Sequence, residues 1–204
     1  MITIAIPTGR LGKQSIQLLK KVQLIESHFE IQRQLRYENK EQRIIYVFVK
    51  PSDVMTYIES GLADIGIIGS DTIEETSANI YELMDLNIGV CKMVVAGLNT
   101  NIFNEKETIK VATKYDKIAT QYFQSINKEV NIFHLNGSVE LAPLIALTDV
   151  IVDITETGTT LKENGLNIID TISQISGRLI CNQASYYLKS TQVNTIKNRL
   201  GKHI

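Results

Sequence analysis

Short runs of β-branched and aliphatic residues recur along the chain, separated by segments whose apolar positions repeat every three or four residues. The runs at 2–6, Ile44–Val49, Ile65–Gly69, 90–95, 110–113, 132–135, 150–152 and 179–181 predict strands. Ile16, Leu19, Val22 and Ile25 fall on one face of a helix, and Ile118, Tyr122, Phe123 and Ile126 on another. Ser52 fits an N-cap and Gly61 the stop of the helix it opens, Ser70 and Asp71 begin a short helix, and 139–147 reads as a further one. Residues 184–200 predict a closing amphipathic helix, whereas 28–42 is polar and mixed. Strands alternating with helices from end to end predict an α/β protein with substantially parallel sheets. Ligands of such sheets gather outside the carboxyl ends of the strands.

Two of the strand-end turns carry chemistry. After the first strand comes Thr8-Gly9-Arg10-Leu11-Gly12-Lys13, a glycine turn with two cations that opens a helix. It reads as an anion site with Arg10 aimed at the ligand, or else as a turn with a solvated arginine. Gly12-Lys13 resembles the end of a P-loop, but Gln14 follows the lysine and Pro7 stands where a glycine is required, so that reading fails. The second turn follows Val150-Ile151-Val152-Asp153: Thr155-Glu156-Thr157-Gly158-Thr159-Thr160 is dense in hydroxyls and free of bulky apolar groups. Backbone N–H groups, a glycine that permits close approach and hydroxyl donors suit a phosphate, and Asp153 offers a place for sugar hydroxyls or a metal ion. The bland alternative is an ordinary strand-to-helix connection. Lys50, at the end of the third predicted run's predecessor, Ile44–Val49, stands where an α/β protein puts a ligand contact.

Composition narrows the field. At 204 residues the chain forms one large domain or two small ones, and its 44% hydrophobic and 21% charged content suits a soluble globular protein. A net charge of -1 gives no electrostatic reason to expect nucleic acid or an anionic membrane, so an anionic substrate must be held by local donors. The first residues lack the basic start and apolar core of a signal peptide, and no apolar run approaches the roughly 20 residues of a membrane span. Cys91 and Cys181 each sit in an apolar run without metal-ligand spacing, which predicts buried free thiols and a cytoplasmic location. His28, His134 and His203 stand alone, and His134, within an apolar strand, reads as a satisfied core histidine. There is no G-x-S-x-G and no G-x-G-x-x-G. Anion-binding turns without an evident nucleophile point to positioning plus stabilisation of a leaving anion, and phosphoribosyl transfer fits that chemistry.

Glu140 followed by Ile151-x-Asp153-Ile154-x-x-Thr157-Gly158-x-Thr160-Leu161 resembles the signature of the ATP phosphoribosyltransferase family. The resemblance extends through Ile4-Ala5-Ile6-Pro7 with Gly9-Arg10-Leu11, Asp53-Val54-x-Thr56-Tyr57, and Gly61-x-x-Asp64-Ile65-Gly66-Ile67-x-Gly69-x-Asp71. It continues in Val111-Ala112-Thr113-Lys114-Tyr115, Leu135-Asn136-Gly137-Ser138-Val139-Glu140-x-Ala142-Pro143 and Glu163-Asn164-Gly165-Leu166. Four departures stand out: Ala146 replaces the signature's glycine and Thr148 a small residue, both on the predicted helix; Met55 replaces a proline; Lys50 replaces an arginine, which keeps the charge but loses the bidentate fork.

The resemblance implies transfer of 5-phosphoribosyl from phosphoribosyl pyrophosphate to N1 of ATP, the first step of histidine biosynthesis, with Mg²⁺ expected mainly through the substrate phosphates. It implies two α/β domains like those of type II periplasmic binding proteins with a cleft between them, domain I being 1–88 plus 164–204 and domain II 89–163. Carried over residue by residue, phosphoribosyl pyrophosphate falls to Glu140, Asp153, Thr155, Glu156, Thr157, Gly158, Thr159, Thr160 and Leu161. ATP falls to Gly9, Arg10, Leu11, Gly69, Asp71 and Tyr115, and Arg10, Arg33 and Lys50 become the catalytic cations. With no regulatory sequence after the closing helix, the chain resembles the family's short form, whose catalytic subunits, as homodimers, work in a hetero-oligomer with a regulatory subunit similar to histidyl-tRNA synthetase. Two other readings remain: a non-catalytic two-lobed binding module, which usually carries a secretion signal or DNA-binding domain, and a different phosphoribosyltransferase. The latter's loop usually has two adjacent acidic residues, where this chain has Asp153-Ile154.

Overall fold

The apolar runs become strands close to where the pattern puts them. In the computed structural model, which describes residues 1–30 and 34–203, the chain begins with β1 (Ile2–Pro7), α1 (Arg10–Lys21), β2 (Arg36–Asn39) and β3 (Ile44–Val49). It continues through α2 (Val54–Glu59), β4 (Ile65–Gly69), α3 (Ser70–Glu75) and β5 (Ile80–Asp85). Next come β6 (Cys91–Gly97), α4 (Ile102–Glu105), β7 (Thr108–Thr113), α5 (Asp116–Ser125) and β8 (Glu129–His134). The chain ends with α6 (Leu141–Leu144), β9 (Val150–Thr155), α7 (Thr159–Glu163), β10 (Asn167–Ile175), β11 (Gly177–Asn182), α8 (Gln183–Leu188) and α9 (Ser190–Gly201). Two units result, Met1–Gly89 with Ser176–Ile204, and Val90–Ile175.

The first unit's sheet has the order β2-β3-β1-β4-β11-β5, with β3 and β4 parallel to β1 and the other pairs antiparallel. Alternation along β1 sends Ile2, Ile4 and Ile6 into one core with Leu19 of α1 and Val193, Ile196 and Leu200 of α9. Ala5 enters the other core, with Val54 and Ile58 of α2. Each fully buried isoleucine contributes about 1.5–3 kcal/mol. Tyr46 is wholly buried, and its hydroxyl donates to the Leu24 carbonyl at 2.6 Å; burial raises its pKa far above the ordinary tyrosine value. Asp64, 3% exposed, accepts from the Thr3 N–H, the Ser185 hydroxyl and the Lys189 ammonium, so it ties the two closing helices to β1 and β4.

The second unit's sheet has the order β10-β6-β9-β7-β8, with β8 and β9 parallel to β7 and with β6 and β10 antiparallel additions. Met93, Val95, Val150 and Val152 face α5, packing on Ile118, Ala119 and Phe123. The intervening residues Val94, Ala96 and Ile151 face the opposite way, onto Val139, Ala142, Leu161 and Leu166.

The structure corrects several expectations. Both sheets are mixed rather than mainly parallel. The polar edge strands β2, β5 and β10 were not legible as strands, since an edge strand tolerates polar residues along its length. Because β10 pairs with β6, residues 164–175 belong with the second unit and not the first. The closing helix is two, broken at Lys189, whose φ of -121° is not helical.

The helix expected over 139–147 shrinks to α6. It is closed by bonds from Ala146 N to Pro143 O and from Leu147 N to Ala142 O, with Ala146 at φ 57°, which places Ala146 and Thr148 outside the helix. The same closure stops α1 at Gln23, α5 at Asn127 and α7 at Gly165, which is why Ile25 is buried yet not helical. His134 is exposed rather than a core residue: as the last residue of β8 it sits beside Asp116, with Nδ1 3.0 Å from the carboxylate. Both cysteines are buried free thiols, and burial next to Asp64 pushes the Cys181 thiol up to about 12. Among the described residues no helix is long and apolar enough to cross a membrane.

Candidate active site

β9 is anchored at its start. Asp149 accepts from Lys106 Nζ at 2.6 Å and from the Lys110 N–H at 2.9 Å. Burial works against its charge, but these two hydrogen bonds and the lysine charges outweigh it and hold the carboxyl below its ordinary value. From there β9 carries Asp153 and Thr155 to its carboxyl end. In the antiparallel register with β6, Asp153 stands opposite Val94 and Thr155 opposite Lys92.

The turn beyond β9 is locked by its own hydroxyls. Thr155 Oγ1 accepts from the Gly158 N–H at 2.9 Å, and the Thr157 and Thr159 hydroxyls lie 2.8 Å apart. Gly158 adopts φ 75°, ψ 5°, a left-handed conformation that a side chain resists, and it delivers the chain into α7. The first-turn N–H groups of a helix lack intrahelical acceptors, and Thr160 and Leu161 stand in that first turn of α7. The result is a polar pocket of ≈ 240 Å³ lined by Val94, Glu140, Asp153, Ile154, Thr155, Glu156, Thr157, Thr159, Thr160 and Leu161.

This pocket gathers every residue expected to hold phosphoribosyl pyrophosphate except Gly158, which forms the bend between Thr157 and Thr159 and lines an adjoining opening with Lys162 and Glu163. Glu140, just before α6, and Asp153, on β9, come together although the sequence separates them. Val94 and Ile154 also line the pocket and were not anticipated. Val94 was readable only through the pairing of β6 with β9, which the residue pattern alone does not reveal. The arrangement offers two carboxylates for sugar hydroxyls and a turn of N–H and O–H donors for a phosphate. Among the described residues no group of three or more His, Cys, Asp or Glu side chains is placed to hold a metal ion.

The residues expected to bind ATP scatter differently. Arg10 is the exposed first residue of α1, and its guanidinium donates to the Gly89 carbonyl at 3.4 Å. Gly9, at φ 85°, precedes it with open space around its α-carbon. Leu11 is a packing residue: its Cδ1 lies 2.8 Å from where a β-carbon would sit on either Gly89 or Gly177. The Asp71 carboxylate folds back over Gly69, with Oδ1 2.0 Å from the position of a β-carbon there, and Asp71 is buried. Tyr115 is 4% exposed in the core on the α5 side of the second sheet, facing away from the pocket, with the Lys114 ammonium 4.7 Å from its ring centre. Lys50 is exposed ahead of a short turn at Pro51–Asp53, and Arg33 lies outside the described residues.

His134 is no partner to the pocket. It pairs with Thr113, which pairs with Val152, so it stands on the α5 face, whereas Asp153 points to the other.

Comparison with known proteins adds three kinds of likeness. A family model described as HisG: ATP phosphoribosyltransferase matches residues 50–202. An ATP phosphoribosyltransferase of Clostridioides difficile (strain 630) is 50% identical over 196 residues, covering 96% of this chain and 94% of that protein. The solved ATP phosphoribosyl transferase (HisG:HisZ) complex from Thermotoga maritima contains a chain that superimposes with a TM-score of 0.81 at 36% identity, covering 99% of this chain and 98% of that one. The periplasmic aliphatic sulphonate binding protein SsuA from Escherichia coli, at 12% identity and a TM-score of 0.64 over 98% of this chain, shares the fold alone.

Proposed function

The chain belongs to the ATP phosphoribosyltransferase family, and from that premise we propose that the pocket at the end of β9 holds the phosphoribosyl group that is transferred. The family's reaction breaks the bond between ribose C1 and pyrophosphate and joins C1 to N1 of ATP, giving N1-(5-phospho-β-D-ribosyl)-ATP and pyrophosphate at the head of histidine biosynthesis. The observation that carries the assignment is the convergence of Glu140 and Asp153 with the turn from Thr155 to Leu161 in one polar pocket.

In this reading the turn receives the 5-phosphate through the N–H groups of Thr160 and Leu161 and the threonine hydroxyls. Glu140 and Asp153 accept from the ribose hydroxyls, fixing the ring while positive charge develops at C1. Their negative charge also favours an oxocarbenium-like ribose electrostatically. Gly9, Arg10, Leu11, Gly69, Asp71 and Tyr115 remain the ATP set implied by the resemblance. Leu11, Asp71 and Tyr115 serve there through packing, since none presents an open polar face. Arg10, Arg33 and Lys50 are assigned to the phosphates of ATP and of the departing pyrophosphate.

The family's reaction needs a metal ion. The pocket's donors are hard carboxylate and hydroxyl oxygens, which suit Mg²⁺, and Glu140 and Asp153 are the carboxylates that would share it with the substrate. When bound, it neutralises charge on the leaving pyrophosphate. A cytoplasmic location fits this chemistry. As in the Thermotoga maritima complex, a HisZ-type regulatory subunit, similar to histidyl-tRNA synthetase, is the partner we assign to homodimers of this chain.

Incubation with ATP, phosphoribosyl pyrophosphate, Mg²⁺ and a pyrophosphatase, with and without the regulatory subunit, tests the activity through the absorbance of the adduct. No adduct under either condition from a folded chain would overturn it.

A further inference from the structure

Among the described residues, the lining of the phosphate pocket brings Glu140, Asp153 and Glu156 and no cation. A phosphate monoester adds a charge of about -1.5 to -2 at neutral pH. Neutral donors must then hold an anion among carboxylates, and at short range each such pair repels by roughly 1–4 kcal/mol.

The strand register supplies the missing charge. Lys92 of β6 is the Cα partner of Thr155 on β9, just as Val94 is the partner of Asp153. Directly opposed residues of an antiparallel pair project from the same face with β-carbons about 4.5–5.5 Å apart. Lys92 therefore shares the face of Val94, Asp153 and Thr155, all three of which line the pocket, and stands one step nearer the turn. Its neighbour on the other side is Gln174 of β10, which carries no charge. The Lys92 residue is exposed and, among the described residues, its side chain makes no hydrogen bond or ion pair. The other nearby lysines are differently placed. Lys114 sets its ammonium over Tyr115, which belongs to the opposite core, and Lys162 opens onto the adjoining space beside Glu163.

We propose that Lys92 is a substrate-binding residue whose ammonium pairs with the 5-phosphate held by the turn after β9, an assignment that rests on the phosphoribosyl reading of this pocket. It holds a group that does not react, so it strengthens ground state and transition state alike. Replacing it should raise KM for phosphoribosyl pyrophosphate and leave kcat nearly unchanged.

The experiment compares the unaltered chain with Lys92→Met and Lys92→Arg by calorimetric titration of ribose 5-phosphate and, separately, of inorganic pyrophosphate, alongside steady-state kinetics. Lys92→Met should bind ribose 5-phosphate about tenfold or more weakly, as loss of a charged hydrogen bond predicts, with pyrophosphate affinity unchanged and Lys92→Arg largely restoring binding. Unchanged ribose 5-phosphate affinity in a folded Lys92→Met would overturn the proposal, and a loss confined to pyrophosphate would do the same. If the unaltered chain makes the adduct, either of those results removes Lys92 alone. If it binds no ribose 5-phosphate and makes no adduct, the pocket assignment falls with it.

Discussion

The ammonium of Lys189 lies 2.9 Å and 2.8 Å from the two carboxylate oxygens of Asp64, a residue 125 positions earlier in the chain. The pair is unequal. The Asp64 side chain is 5% exposed, whereas that of Lys189 is 37% exposed, and Asp64 also accepts from Thr3 N and the Ser185 hydroxyl. Removing the carboxylate strands a buried N–H, a hydroxyl and an ammonium together. Asp64→Ala should therefore cost about 3 kcal/mol of unfolding free energy, and Lys189→Met only about 1 kcal/mol because water screens it. Urea denaturation of the two variants and of the double variant measures both terms. Equal losses would mean that the ion pair, not the anchoring of the Thr3 backbone, carries the stability.

Ala146 holds the position at which α7 uses Gly165, the left-handed residue that closes a helix. An alanine there costs roughly 1–2 kcal/mol, less the entropy that glycine would lose on folding. Ala146→Gly should raise stability by about 0.5–1 kcal/mol, seen as a higher denaturation midpoint with unchanged kinetics. A lower midpoint would show that α6 ends by some other means.

Two residues on, the Thr148 hydroxyl is buried without a hydrogen-bond partner among the described residues. Thr148→Val keeps the shape and removes the unsatisfied group, so it should be neutral or stabilising by up to ~1 kcal/mol. Clear destabilisation by thermal melting would mean that the hydroxyl is engaged after all.

Gly158 has room for a side chain, since a β-carbon would meet only Ile168 Cδ1 at 3.7 Å; the obstacle is its φ of 75°. Gly158→Val should fold but lose phosphoribosyl pyrophosphate binding, because a β-branched residue will not hold the turn. Gly158→Ala should lose less. Calorimetry separates the two, and unchanged affinity in Gly158→Val would place the phosphate elsewhere.

Asp149 carries a pH signature. Its carboxyl titrates below the ordinary 3.8 when folded and returns to it on unfolding. The contribution of its hydrogen bonds is thus whole above about pH 3.8 and is lost as pH falls through the lower folded value. Asp149→Asn should lose up to ~1 kcal/mol at pH 7, with a flatter decline in acid than the parent chain. Midpoints measured from pH 7 down to pH 3 would decide it, and parallel curves would remove Asp149 from the acid transition.

Much of this was legible beforehand because buried strands announce themselves: Ile44–Val49 and Ile65–Gly69 are observed with the limits the apolar runs set. The polar pocket turn after β9 was readable as a turn because hydroxyls, a glycine and an acidic strand end occur within a dozen residues. What stayed hidden depends on partners. β10 is an exposed edge strand whose polar residues gave no alternation to read, and missing it misplaced 164–175. Val94 and Lys92 acquire their places only through cross-strand register. Leu11 and Tyr115, which the motif carries over to a ligand, owe their surroundings to packing that the motif does not describe.

The strand order of the first sheet imposes a schedule on synthesis. β11 lies between β4 and β5, so β4 lacks its antiparallel neighbour until Gly177–Asn182 has left the ribosome. At about 5–20 residues per second that delay lasts on the order of 5–20 s, and the contiguous Val90–Ile175 is itself complete only just before β11 emerges. Throughout that interval the nascent chain carries an open apolar edge at Ile65–Gly69 and, beside it, an Asp64 that still lacks Ser185 and Lys189. The last strands of the two sheets, β10 and β11, therefore arrive almost together, and the edge left open longest lies in the part of the protein that was made earliest.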